Sequence, residues 1–415
     1  MSDNTIGKFY RLILAALVAG SLIFHLAILW ESRDRIAAGY GDFIIFYTGA
    51  QIINDGKSED LFNVETQNAY QANFDVPQLE WPLPFNHAPY ELFLFLPLAH
   101  LPYPVAHAIW SVLNLILLVM MLRWLVFYVD SPHKFFVCAA VLAWFPTMEA
   151  FRLGQDSILS AALLLAVFIA LKRRADGWAG VFLALGLYKP QLVLPMAGAF
   201  LVARRWHTLT VFAVAGGILT AVSLAMVGWQ GAFDLVSILR SMHNYSYIIF
   251  PANMPNIRGL LYVLLQAGNF EMFIGAVTIT LSLGIYALCL CLWRGEYDVL
   301  DPAFDLKFSI TIVSTVLIGY HLYSHDLFPL MLSLVLFFCY ILAGSASDPA
   351  ISRAFFLLLL ILFFPVVPRY LLIEVKSFGW GAIPVLTLYV LLSLEIYRRS
   401  RIQLENKNNQ MKQPV

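Results

Sequence analysis

Between Gly319 and Asp326 the chain sets His321, His325, Tyr320, Tyr323, Ser324 and Asp326 within eight residues, between two apolar runs. Capping of the next helix by Ser324 or Asp326 accounts for one or two of these, not all. His321, His325 and Asp326 could ligate a transition metal. A set of hydrogen-bond donors for an anionic headgroup, with His325 nearest a phosphate, explains more of the cluster. Asp42 opens a second stretch, Gly41-Asp42-Phe43. Phe43, Phe46, Tyr47, Ala50 and Ile53 then recur on one helical face, and Gly56 ends the pattern. Asp42 is either an N-cap, stabilising by about 1 kcal/mol, or a carboxylate kept ionised by the helix terminus and able to take a proton from a hydroxyl. Lys189, in Leu187-Tyr188-Lys189-Pro190-Gln191, interrupts an apolar run. Such a lysine lines a cavity or meets an anion, or else snorkels to an interface. Arg152 and Gln155 flank Gly154 in a tight turn. They are ligand contacts, or the turn is a plain hairpin capped by Asp156 or Ser157. Arg258 sits among asparagines and aromatics, as do the residues of 240–245. Arg369, after Pro368, either grips a phosphate or anchors a helix.

These stretches need a membrane frame to position them. Of 415 residues, 60% are hydrophobic and 13% charged, with a mean hydropathy of +0.75 and zero formal net charge. An average soluble domain is about 45–50% apolar and about 25% charged. The pattern predicts an all-α polytopic membrane protein, and the charge balance gives no reason to expect nucleic acid. Spans of about 20 apolar residues are predicted over 9–30, 104–128, 134–151, 155–172, 207–228, 271–293, 307–322, 327–343, 353–371 and 378–396. Two half-length runs, 177–188 and 191–203, are either a re-entrant pair or two tilted spans broken at Lys189-Pro190, and 89–101 is a half-span or interfacial segment. The helix after Asp42 should lie in the interface, with its aromatic face down. Residues 1–396 form one transmembrane domain, and 397–415 a polar, disordered tail.

The pairs Arg173-Arg174, Arg204-Arg205 and Arg398-Arg399 all fall on the side of Lys8 and Arg11. With 177–203 treated as re-entrant, the positive-inside rule then puts both termini in the cytoplasm and the loops 31–88, around 152–156, 229–258, 321–326 and 369–380 on the opposite side. The four cysteines lie inside apolar runs and read as packing residues.

In their order, Gly41-Asp42-Phe43 with Phe46-Tyr47, Gly154-Gln155, Lys189-Pro190-Gln191 and Ser324-His325-Asp326 resemble glycosyltransferase family 87. The likeness runs over roughly residues 10–345. It implies a GT-C-type bundle of about 10–13 transmembrane helices in the cell membrane, its active site open to the periplasm or exterior. It also implies a mannosyltransferase-like activity on a polyprenyl-phosphate-sugar donor, with a glycan or glycolipid acceptor. By that likeness Asp42 is the general base. Lys189, His325, Arg258, Arg369 and Arg152, with Gln155, Tyr323 and Asp326, bind donor phosphate or substrate. No cofactor is expected: the chain lacks an Asp-x-Asp or a Gly-rich phosphate loop, which fits a lipid donor and argues against a tightly bound metal.

Two other classes share some features. A transporter or flippase of an anionic lipid also breaks half-spans at proline near a lysine, but it should show inverted repeats and polar residues on both sides, and the polar loops here are lopsided. A structural subunit without activity would bind donor and transfer nothing.

Overall fold

The computed structural model describes residues 3–74, 83–129, 133–241, 250–265, 271–295, 298–346, 348–364 and 366–411. Among them every regular element is helical, and the protein is an all-α polytopic membrane protein. Part of the stretch 240–245 lies outside the described residues.

The chain begins with α1 (Asp3–Ala37), then turns through Gly39 and Gly41 into α2 (Phe43–Asn54) and α3 (Val64–Gln71). Residues 43–50 and 52 of α2 are all buried. The helix expected to float in the interface is instead enclosed, because 83–101 folds over its second face. There Phe46 stacks on Phe95 at 4.7 Å, and Phe62 on Phe85 at 6.0 Å. These rings form a small apolar core apart from the main one. Gln67 and Gln71 satisfy the backbone of Phe85 and Leu83 beneath it.

Then come α4 (Tyr103–Leu125), α5 (Lys134–Ala143), α6 (Phe145–Leu153) and α7 (Ser157–Lys172). The predicted span 134–151 is bent by 49° between α5 and α6, since Pro146 starts a new helix. Next, α8 (Asp176–Leu185) and α9 (Pro190–Val202) flank Lys189. Arg205 meets Asp176 at 3.4 Å, so the far ends of the pair adjoin and Lys189 is the tip of a helical hairpin. Helix α10 (Trp206–Ser241) breaks at Gly228, with φ 68° and ψ −179°, at the predicted end of its span.

Helices α11 (Ile257–Leu265), α12 (Glu271–Trp293), α13 (Pro302–Ile318) and α14 (Leu330–Leu342) lead to α15 (Pro349–Leu362), the short α16 (Val366–Arg369) and α17 (Ala382–Met411). The last continues through the tail expected to be disordered; its run of Gln, Leu, Glu and Lys favours helix.

Among the described residues six helices are long and apolar enough to cross a membrane, or eight if each of two bent pairs is one span. The apolar runs predict more because some serve protein rather than lipid. Every residue of α13 from Leu306 to Leu317 is buried. A helix enclosed all round must be apolar on every face whatever its length.

Candidate active site

The stretches around Asp42, Gln155, Lys189 and Asp326 meet at one end of the bundle. Asp42 occupies the N-cap position of α2, but its backbone is helical (φ −85°, ψ −11°) and its side chain caps nothing. The capping role is therefore not taken up. Instead Gln155 Nε2 donates to Asp42 Oδ2 at 2.6 Å. The Asp42 N–H donates to the Leu153 carbonyl at 2.8 Å.

Two glycines permit this approach. Gly154 has φ +66°, and a Cβ there would stand 2.5 Å from Phe43 Cβ; one on Gly41 (φ +116°) would stand 3.0 Å from the Leu153 oxygen. Trp110 Nε1 donates to the Gly154 carbonyl at 2.9 Å and fixes the turn.

A second contact joins the other two stretches. Lys189 is 4% exposed, and its Nζ lies 2.5 Å from Asp156 Oδ1 and 2.7 Å from Asp326 Oδ1. Its charge is thus matched by carboxylates rather than left for an outside anion. Asp326 also accepts from the Tyr323 N–H at 3.2 Å and lies 3.3 Å from His325 Nε2. His325 is 7% exposed, and its Nδ1 has no hydrogen-bond partner. The charges of both Asp42 and Lys189 act on the ring.

The remaining candidates occupy the edges. Arg152 grips Glu149 with two bonds, 2.8 and 2.9 Å, and lies over Tyr40. Its guanidinium is committed to an internal partner. Glu149 also receives Ser324 Oγ at 3.4 Å. Arg258 donates to the Tyr320 carbonyl at 3.2 Å and rests 4.0 Å above that ring. Asn256 pins the same loop by donating to the Gly319 carbonyl at 2.6 Å. The Tyr323 hydroxyl accepts from the Phe250 N–H at 3.2 Å. His321 packs edge-on against Tyr323, and burial lowers its pKa to about 4, so it stays neutral at pH 7. His321 does not join His325 and Asp326 in a group with metal-ligand spacing among the described residues; the triad that does is another one.

That triad is His87, Glu91 and Asp156, two of which the motif reading passed over. The signal was present, since Glu91 stands inside the apolar run 89–101, where a carboxylate is costly. His87 Nδ1 lies 2.7 Å from Glu91 Oε2. Burial pushes Glu91 up to about 7, against the pull of His87. Burial alone would lower His87, but the Glu91 charge raises it above its usual value. The two therefore share a proton near neutrality.

Arg369 ends α16, half-buried. Its neighbours Pro368 and Leu371 line an apolar cavity of about 260 Å³, together with Phe145, Pro146, Leu327 and Leu330. One of its lining residues, Leu327, follows Asp326 directly in the chain.

No curated protein and no solved structure matches the chain. The model of glycosyltransferase family 87 matches residues 85–318. That segment spans more than half of the sequence and carries His87, Glu91, Gln155, Asp156, Lys189 and Arg258 from the cluster. The chain belongs to glycosyltransferase family 87 and is a membrane glycosyltransferase.

Proposed function

We propose that this glycosyltransferase moves a hexose, mannose first among candidates, from a polyprenyl-phosphate sugar to an acceptor hydroxyl, with inversion, at the outer face of the cell membrane. Asp42 takes the proton of the acceptor hydroxyl as that oxygen attacks the anomeric carbon. The C–O bond to phosphate breaks, and the lipid phosphate leaves with its electron pair. Gln155 orients the Asp42 carboxylate by the bond to Oδ2. His325, through its unpartnered Nδ1, donates to the departing phosphate, with Arg258 at the rim. Donors aimed at developing charge commonly lower a barrier by a few kcal/mol.

Lys189, paired with Asp156 and Asp326, does not meet the phosphate directly. It holds the tip of the α8–α9 hairpin against the loop carrying His325. The apolar cavity lined by Leu327 suits the first isoprene units of the donor, and Pro368, the neighbour of Arg369, lines it too.

One observation carries this reading: Asp42 sits where a cap belongs yet caps nothing, and is held instead by Gln155 near His325. The test is transfer of label from polyprenyl-phosphate mannose and, separately, glucose to an envelope extract. Wild type transfers one of them. Asp42→Asn, still inserted and monodisperse, should be slower by at least about a hundredfold. Turnover near wild type in that variant removes Asp42 from the mechanism.

A further inference from the structure

His87, Glu91 and Asp156 form a polar knot beside the Lys189 pair, with no part in the proton transfer or phosphate contacts described above. Their ligand atoms, one imidazole nitrogen and two carboxylate oxygens, all lie within 4.8 Å of one another. Glu91 Oε2 is 2.7 Å, and Asp156 Oδ2 3.8 Å, from His87 Nδ1. Around a single ion with bonds of about 2.1 Å, neighbouring ligand atoms stand roughly 3.0–3.4 Å apart. That spacing falls between the two measured separations, so small shifts would close the shell.

A second observation points the same way. Asp156 is fully buried and Glu91 is 2% exposed, yet Asp156 Oδ2 and Glu91 Oε1 have no hydrogen-bond partner. Leaving buried carboxylate oxygens without partners is costly, and the cost is relieved by pairing or by a metal. Asp156 has its two oxygens divided: Oδ1 lies against Lys189 Nζ at 2.5 Å, and Oδ2 faces His87. Such a split carboxylate can hold a lysine on one side and an ion on the other.

We propose that His87, Glu91 and Asp156 bind one first-row divalent cation, Mn2+ or Zn2+, which clamps the segment around 83–91 onto the start of α7. One imidazole among carboxylates suits these ions better than Ca2+, which takes six to eight oxygens. The site runs against the expectation that the chain needs no tightly bound metal. It does not depend on the donor or on Asp42, because ion binding is measured with no sugar lipid present.

The experiment uses the full-length protein in detergent, stripped with a chelator, loaded with Mn2+, Zn2+ or Ca2+ and desalted. Elemental analysis should find about one equivalent of Mn2+ or Zn2+ per chain and no Ca2+, and the bound ion should raise the Tm. Glu91→Gln, a near-isosteric change, should weaken binding by more than about tenfold in a calorimetric titration and abolish the Tm shift, as should Asp156→Asn. Asp156→Asn also weakens the Lys189 pair and can fail to fold, so Glu91→Gln decides alone. The proposal is overturned if stripped wild type retains neither Mn2+ nor Zn2+, or if Glu91→Gln binds them as tightly as wild type.

Discussion

Gln155 acts on the chemistry only through the carboxylate it holds. Its Nε2 donates to Asp42 at 2.6 Å, while its Oε1 is buried without a partner. Gln155→Ala should lower kcat by roughly tenfold, leave KM for the lipid donor unchanged and barely move the Tm. Groups that act as one unit are not additive. The Asp42→Asn, Gln155→Ala pair should therefore be no slower than Asp42→Asn alone. Additive losses would mean that Gln155 contacts substrate independently. Lys189 is a different case, because its loss strands two carboxylates. Lys189→Met should cost about 3–5 kcal/mol, the penalty for breaking a buried pair from one side. Adding Asp326→Asn should restore part of the thermal stability and no activity, as read by unfolding in detergent.

At the scale of elements, the site depends on two close backbone approaches, and glycine marks both. Gly154→Ala must place a Cβ 2.5 Å from Phe43 Cβ on a backbone at φ +66°. Strain of that kind costs about 1–3 kcal/mol before the clash is counted. Gly56→Ala is the control, since its φ is +75° with nothing within 4 Å. Gly154→Ala should lower both Tm and transfer, and Gly56→Ala should lower Tm slightly and leave transfer intact. The motif order in the sequence made these glycines and their polar neighbours visible. It did not show that Gly41-Asp42-Phe43 and Gly154-Gln155 are two halves of one contact, because they are more than a hundred residues apart. The burial of α2 departs from its sequence pattern for a related reason. Its aromatic stripe predicts one buried face, whereas the 83–101 segment that buries the other is made of short 3-10 turns and loop, too short to leave a periodic signal.

Across the whole molecule the two ends differ in how they treat charge. One end carries the pairs Arg174–Asp298, Arg205–Asp176, Arg398–Asp348 and Arg399–Asp301, all partly exposed. Such surface pairs contribute little stability each. At the other end Lys189, Asp156, Asp326, His325 and Glu91 are all buried, a costly arrangement of the kind found at functional sites. We expect the first end to face the cytoplasm. In a background without the four native cysteines, Lys57→Cys should react with an impermeant maleimide on intact cells. Ser400→Cys should react only after permeabilisation. The opposite pattern would place the Asp42 site inside and reverse the proposed topology.

Composition alone determined that this chain is a helical membrane protein, because an apolar fraction this high has no soluble solution. The order of short motifs pointed to the family, since glycine, aspartate and lysine keep their chemistry wherever the fold takes them. Only the tertiary structure decided which of these groups touch. It turned Asp42 from a cap into a partner of Gln155, bound Lys189 and Arg152 to internal carboxylates, and brought His87 and Glu91 to Asp156. Such pairings are set by packing between distant segments, and a hydrophobic pattern encodes which face is buried but not what lies against it.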